Sequence, residues 1–548
     1  MPSITPILPK ASIHEVEAQT CSTPQNLSFK TLDEARTHVA REMFIDKKQA
    51  QDYLQSITEN PEKHIDAQSL KLLKTAISEE TAKLPERLVV VSNRMIDPKK
   101  PAAGGLAVAL GETMKEANGL WFGWSGNKKE APIREGVHMQ PYGKTTLAGI
   151  DLNKHQQENY YSGYFNSVLW PTMHDSPELA EFKPEYFETY MQVNKLFAAK
   201  LAPMLKEDDV LWIHDFHLAP LAKELREQGC KQQIGFFNHT PFPSPELFEK
   251  IPHQRALTEA MLAFDLIGMQ VPKDINNFCK HIETQGFGKM VDGGHIDATD
   301  RKVKVQDFPI GIDLLSFRSL KPGPDSEWIL GKVEKEAQKS RTLLIGAERL
   351  DYTKGVPVRL EAFGSLLSNR PDLHGKVTLV QIAAPSRGDI QAYQALIEKT
   401  DRLVKEINNQ FGNEDWEPVM YINESVNRNA LPKLYSMSRV GIVSSVADGM
   451  NLVAKEYIAA QNPENPGVPI ISKGAGAAAQ LHQALLFPSN NRAALAAAYE
   501  QALEMPIEER KSRYVPLMRN VEQEDLPHWR NSYLKTLYSM RDSATPEQ

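Results

Sequence analysis

The sequence predicts an α/β protein made of two parallel-sheet domains of similar size that meet at a cleft, with a helical extension in front. Three observations carry this expectation. Short apolar runs alternate with helical patterns over two long blocks of chain, polar or glycine-bearing turns follow those runs directly, and a linker marked by Pro322 and Pro324 separates the blocks. Continuous apolar strands are buried on both faces, as in parallel sheets wrapped by helices, and such sheets collect ligands beyond their strand ends.

At 548 residues the chain exceeds one ordinary domain. Residues 1–29, rich in Pro, Ser, Thr and Gln, read as mobile, and 32–82 carries helical patterns without a strand-like run, so 1–85 is expected to be a partly mobile, partly helical extension. The first domain is expected over 86–315, with strands at 87–91, 210–213 and 233–237 and apolar stretches at 263–269 and 303–312. Helices are expected there at 106–114, 186–205 and 218–228. The second domain, 316–520, repeats the rhythm with strands at 342–346, 376–383, 419–422, 440–444 and 468–472. Its helices are expected at 356–369, 390–409 and 429–437, with Ala-rich stretches at 454–461 and 493–504. Helical patterning continues to 540, and 521–548 is expected to return towards the first domain.

A formal charge of -7 over this length argues against a polyanion partner, so no nucleic acid is expected. Cys21, Cys230 and Cys279 make neither a metal spacing nor a disulfide framework, and the 15 histidines include no HExxH pair, so no metal is expected. No window approaches eighteen apolar residues, which predicts no membrane span and a cytoplasmic location.

The stretch 443–459, VSSVADGMNLVAKEYIA, passes from an apolar run through Asp448-Gly449 into a helix. Asp448 and Glu456 lie two turns apart, which suits one extended ligand better than the facing carboxylates of a glycosidase. Arg349 and Lys354 bracket another post-strand turn and can share one anion. Arg387, beside Gly388, and Arg94, in Ser92-Asn93-Arg94, are further anion candidates. Asp215 and His239 sit just past strand ends, where they can orient hydroxyls, and Trp124, Tyr161 and Trp170 can line a cleft. The small residues 474–479 allow backbone N–H groups to approach a diphosphate. Each residue alone also fits an ordinary solvated turn or a packed core.

Ten strings in one order give these residues a common meaning: RLVVVSNR (87–94), AGGLAVAL (103–110), LWFGWSG (120–126), YY with NSVLWP (160–171), WIHDFHL (212–218), HTPFPSPELF (239–248), PIGID (309–313), ERLDYTKG (348–355), QIAAPSRGD (381–389) and DGMNLVAKEY (448–457). In these strings the chain resembles the α,α-trehalose-phosphate synthases, retaining sugar-nucleotide hexosyltransferases with two Rossmann-like domains in the GT-B arrangement. The resemblance covers about 86–540 and leaves 1–85 outside.

It implies transfer of glucose from a nucleoside-diphosphate glucose, UDP-glucose above all, to glucose 6-phosphate, with no cofactor beyond the donor substrate. Arg349 and Lys354 are then implied to hold the diphosphate, Gly105 to lie beside it, Asp448 to take the glucose hydroxyls, Glu456 the ribose, and Asn451 and Leu452 to complete the donor site. His239 is implied beside the transferred glucose, so that His239, Arg349, Lys354 and Asp448 form the catalytic set. Arg94, Arg387 and Tyr161 are implied at the acceptor phosphate, and Trp124, Trp170 and Asp215 at the acceptor sugar. A homo-oligomer is expected, and a separate phosphatase to act on the product.

The chain departs from the family pattern at Val446-Ala447 in place of Leu-Arg, at Gly474 and Ala479-Gln480, at Asn238 and Thr240 around the site histidine, and at Val426 in place of an aromatic residue. Most of these changes fall on the donor side. ADP- or GDP-glucose as donor, glycerol 3-phosphate or another phosphorylated acceptor, and a catalytically weak sugar-phosphate-binding regulatory subunit are the alternatives they leave open.

Overall fold

The computed structural model describes residues 26–540 except 43, 60–63, 82–83, 99–109, 112–113, 116, 128–135 and 387–389. Gly105, Arg387, residues 1–25 and most of the helix expected over 106–114 lie outside the described residues. The chain forms two compact units, one of Met1–Glu42 with Ala50–Glu80 and one of Met43–Gln49 with Thr81–Gln548.

The small unit holds α1 (Leu32–Glu42), α3 (Ala67–Thr81) and most of α2 (Lys47–Glu59). Arg36 on α1 grips Glu79 on α3 through two hydrogen bonds, at 2.8 and 3.0 Å. A two-residue parallel ladder, β1 (Asn26–Leu27) on β2 (His64–Ile65), corrects the expectation of no strand in the extension. Two residues are too few to show the period of a strand.

In the large unit, the segment 43–49 is anchored by buried Asp46, whose Oδ2 accepts the Asn118 N–H at 2.8 Å, and by Tyr538, whose hydroxyl donates to Ile45 O at 2.9 Å. Its first sheet contains β3 (Arg87–Arg94), β4 (Leu120–Trp124), β5 (His138–Tyr142), β6 (Thr145–Ile150) and β7 (Asp209–His214). It continues with β8 (Gln233–Phe237), β9 (Leu266–Met269), β10 (Gly288–Val291), β11 (His295–Ala298) and β12 (Lys302–Asp307). The order is β10-β11-β12-β9-β8-β7-β3-β4-β6-β5, parallel from β12 to β6 with antiparallel edges. Between β6 and β7 a π-helix spans Gln157–Leu169 and runs into a short helix, α4 (Trp170–Met173). The aromatic composition of that stretch gives no sign of the wider helical turn.

The second sheet contains β13 (Thr342–Arg349), β14 (Val377–Ala384), β15 (Val419–Ile422), β16 (Val440–Val443), β17 (Val468–Ser472) and β18 (Leu485–Phe487). All its pairings are parallel, in the order β15-β14-β13-β16-β17-β18. With β13 as first strand this is the doubly wound order 3-2-1-4-5-6, whose switch point lies between β13 and β16. In the first sheet the order likewise reverses between β3 and β7, placing a switch point there. The large unit is therefore two Rossmann-like domains in the GT-B arrangement.

Five further helices frame the site. α5 (Leu314–Ser319) lies in the first connection between the domains, α6 (Val356–Asn369) follows the turn after β13, and α7 (Leu452–Ala459) follows the turn after β16. α8 (Ile507–Gln523) stays on the second domain, where Arg510 donates to Pro466 O at 2.6 Å. The helical pattern to 540 breaks at Glu524-Asp525, where Asp525 Oδ1 caps α9 (Leu526–Ser539) through the His528 N–H at 2.8 Å. α9 lies on the first sheet, with Trp529 and Tyr533 against Trp212 at ring distances of 5.1 and 4.9 Å.

Candidate functional site

The second-domain switch point is built on a buried cation. Arg359, on α6 and fully buried, meets Glu348 at 2.5 Å and donates to Ser444 Oγ at 2.9 Å and Gln381 Oε1 at 3.0 Å. Burial pushes the Glu348 carboxyl up, and the Arg359 guanidinium opposes that. This layer ties the end of β13 to the middle of β14 and to the residue just after β16. The turn after β13 is then fixed by Asp351, which accepts the Thr353 N–H at 3.1 Å and the Tyr393 hydroxyl at 2.9 Å. Ser444 Oγ donates to Lys354 O at 2.9 Å, and Val446 N donates to Thr353 O at 2.8 Å.

On this base Lys354 Nζ pairs with Asp448 Oδ2. The same oxygen accepts Ser445 Oγ at 3.1 Å and Asn451 Nδ2 at 3.0 Å. Burial raises the Asp448 pKa, but the ammonium and hydrogen bond of Lys354, with His174 and Asn451, outweigh it and hold the carboxylate below its ordinary range. Arg349 is exposed at the end of β13, and its side chain makes no hydrogen bond or ion pair among the described residues. Asn451 has φ +70° and begins α7 without a side-chain cap, so the helix start at Leu452 presents open N–H groups. Glu456 is buried one helical turn further in and takes Arg428 Nη2 at 3.3 Å; burial pushes it up and Arg428 acts against that.

The expectation that the 474–479 loop offers backbone donors to a diphosphate is corrected. Gly474 N donates to Ser472 Oγ, Ala475 N to Ser472 O, Gly476 N to Asp448 O, Ala477 N to Met450 O and Ala478 N to Ala475 O. The small residues instead let this loop brace the Asp448 turn.

Five acceptor candidates form one chain of contacts at the first-domain switch point. The exposed Arg94 guanidinium lies 5.9 Å over Trp124, whose ring is 6.3 Å from Tyr161. Tyr161 stacks on His217 at 5.7 Å, and His217 Nδ1 is 3.7 Å from Asp215. Phe165 links Tyr161, at 6.3 Å, to Trp170, at 5.9 Å. Trp124 Nε1 is buried without a partner among the described residues, leaving a donor for a ligand. Asp215 sits at φ +73° directly after β7, a strained conformation for a non-glycine residue.

Two groups of the first domain reach the Asp448 turn. His239 Nε2 lies 3.1 Å from His214 Nδ1, and burial pushes His239 down to about 3, so both rings are neutral near pH 7. A Cβ on Gly449 would lie 2.0 Å from His239 O, so only glycine lets the two turns touch. Asn238 Nδ2 donates to Thr240 O at 2.8 Å, and Thr240 Oγ1 to Asn238 Oδ1 at 2.9 Å. These two departures from the family pattern thus satisfy each other around His239. His174 follows α4, donates from Nδ1 to Trp170 O at 2.7 Å and packs tilted against the Trp170 ring at 4.0 Å. Its ring feels Asp448, Asp351 and Lys354 across the cleft.

A model of glycosyltransferase family 20 matches residues 78–539. The chain belongs to that family. This family-20 glycosyltransferase is 39% identical over 460 residues to the trehalose-6-phosphate synthase of Sodalis glossinidius (strain morsitans), covering 84% of this chain and 97% of the relative. It is similar, with a TM-score of 0.77 and 38% identity over 82% of this chain and 99% of the other, to an α,α-trehalose-phosphate synthase (UDP-forming) from Burkholderia xenovorans in complex with glucose-6-phosphate. It also resembles an E. coli structure bound with UDP-2-fluoro glucose, with a TM-score of 0.78 and 38% identity over 82% and 99% of the two chains.

In the family-20 chain the described candidates fall at the two switch points or on the contact between them. Sequence reasoning missed His174, Ser445, Arg428 and the Glu348–Arg359 layer. His214 stands three residues from His217 in HDFH and was legible as part of a motif; Arg428 and His174 belong to segments with no chemical spacing of their own. Among the described residues no cluster of His, Cys, Asp and Glu could hold a metal ion, and no helix is long and apolar enough to cross a membrane.

Proposed function

We propose that this chain transfers glucose, with retention, from UDP-glucose to glucose 6-phosphate and forms α,α-trehalose 6-phosphate. The observation that carries the reading is that two sites meet: the Lys354–Asp448 pair with an open helix start in the second domain, and Arg94 on an aromatic wall in the first, joined by the Gly449–His239 contact and by His174, which lies between Trp170 and the Lys354–Asp448 pair. The former suits a diphosphate with its sugar, the latter a phosphorylated sugar.

In this reading Arg349 and Lys354 stabilise the charge that gathers on the departing diphosphate. Asp448, ionised through Lys354, receives glucose hydroxyls, and Glu456 with Arg428 takes the ribose. Arg94, with Tyr161, binds the acceptor phosphate, and Trp124, Trp170 and Asp215 hold its sugar; Arg387 and Gly105 complete the two anion sites. The donor C1–O bond breaks, the acceptor's anomeric oxygen bonds to C1 on the same face, and its proton passes to the departing phosphate oxygen. His239 lines the transferred glucose through its carbonyl beside Gly449 and a neutral ring. The two bound anions draw the domains together and exclude water.

A donor and acceptor screen tests this: UDP-, ADP- and GDP-glucose, each with glucose 6-phosphate and with glycerol 3-phosphate, followed by product identification. UDP-glucose with glucose 6-phosphate is expected to turn over fastest. Transfer only to glycerol 3-phosphate overturns the acceptor assignment, and preference for ADP- or GDP-glucose overturns the nucleotide.

A further inference from the structure

Lys455 stands beside Glu456 on α7, yet points away from the cleft and is fully buried. Its ammonium donates to Ile310 O at 3.0 Å and to Glu524 O at 3.4 Å. These carbonyls belong to the two places where the chain passes between the domains. Ile310 leads from β12 to α5, and Glu524 leads from α8, on the second domain, to α9, on the first sheet. The two passages touch: Leu526 N donates to Ile312 O at 3.0 Å, and a Cβ on Gly311 would lie 2.1 Å from Glu524 O.

A buried ammonium held by carbonyls alone is an expensive way to fill space, since a hydrocarbon of equal volume carries no desolvation cost. Burial pushes Lys455 down to about 7, with the Glu524 and Asp525 carboxylates acting against it. What a hydrocarbon cannot do is bind two backbone segments to one helix. The other end of α7 is gripped as well: Arg318 on α5 donates to Ala459 O at 3.0 Å, and Arg428, the partner of Glu456, lies 5.7 Å over Phe317 on α5.

We propose that Lys455 is a positioning residue that ties both interdomain passages to the donor helix, so that the angle between the domains and the affinity of the donor site are coupled through α7. The proposal rests on the reading of α7 as donor-binding. Lys455 touches no substrate, and acts through Asn451, Leu452 and Glu456 on the same helix.

Lys455→Met keeps the stem and removes the donors; Gly311→Ala separates the same passages from the other side and serves if the first variant fails to fold. The donor and acceptor KM, the Tm, and hydrogen exchange over 308–313 and 523–527 are measured in the full chain. The donor KM is expected to rise about tenfold with the acceptor KM unchanged, and exchange in both segments to quicken. A donor KM equal to the parent's, an equal rise in both KM values, or a lower Tm without either change overturns the proposal. Failure of the parent to use UDP-glucose counts against the function proposed above and leaves the exchange result to decide this one, since unchanged exchange in both segments also overturns it.

Discussion

At the residue scale, the proposed donor site is a balance between burial and paired charge. Arg349 is exposed and unpaired among the described residues, so its removal breaks no contact among them. Arg349→Ala is expected to lower kcat/KM by about 10²–10³-fold while the Tm stays with the parent's; an equal fall in Tm would show a structural role. Arg94→Ala is expected to raise the KM for glucose 6-phosphate more than tenfold and to leave the donor KM alone, as initial-rate kinetics would show. His174 gives a pH signature. Its folded value, about 4, lies below the ordinary 6.5, because burial disfavours the imidazolium. Between those values the unfolded chain binds more protons, so stability is lost as pH falls from 6.5 towards 4. Urea unfolding at pH 7 and 4.5 is expected to show His174→Gln escaping about 2–3 kcal/mol of the parent's loss. Parallel losses in the two proteins would contradict this.

At the element scale, the strands after which chemistry was expected are present, because continuous apolar runs such as Leu88 to Val91 and Val440 to Val443, bounded by polar turns, suit strands covered on both faces. The edges were illegible: β10, β11 and β5 alternate partly exposed positions in short, polar sequences that read as loops. The turns after β13 and β16 were legible as chemistry-bearing, but their support was not. Arg359 on α6 is a fully buried charge inside an apolar helix, and nothing local in the sequence links it with Glu348 or Ser444, 85 residues away from it. The 474–479 loop misleads for the converse reason, since small residues serve close packing and ligand approach alike. Gly346→Ala tests the buried layer, because a Cβ there would lie 1.7 Å from Arg359 Nη1. Forcing the guanidinium from Glu348 is expected to cost about 3–5 kcal/mol in chemical denaturation, and a cost below about 1 kcal/mol would show that the layer yields freely.

At the scale of the whole molecule, two Rossmann-like domains each carry a switch point, and the contact of Gly449 with His239 joins the domains where the donor sugar is proposed to lie. The family match begins at residue 78, so the helices of the small unit stand largely outside it. Across the proposed cleft, glucose passes to a phosphorylated hexose with retention at C1. The most direct test is proton NMR of the product formed from UDP-glucose and glucose 6-phosphate, read at the anomeric positions as turnover proceeds. The expected result is a single disaccharide phosphate with both anomeric centres α and one UDP released per linkage. A β linkage, or release of free glucose and UDP without a disaccharide, would contradict it.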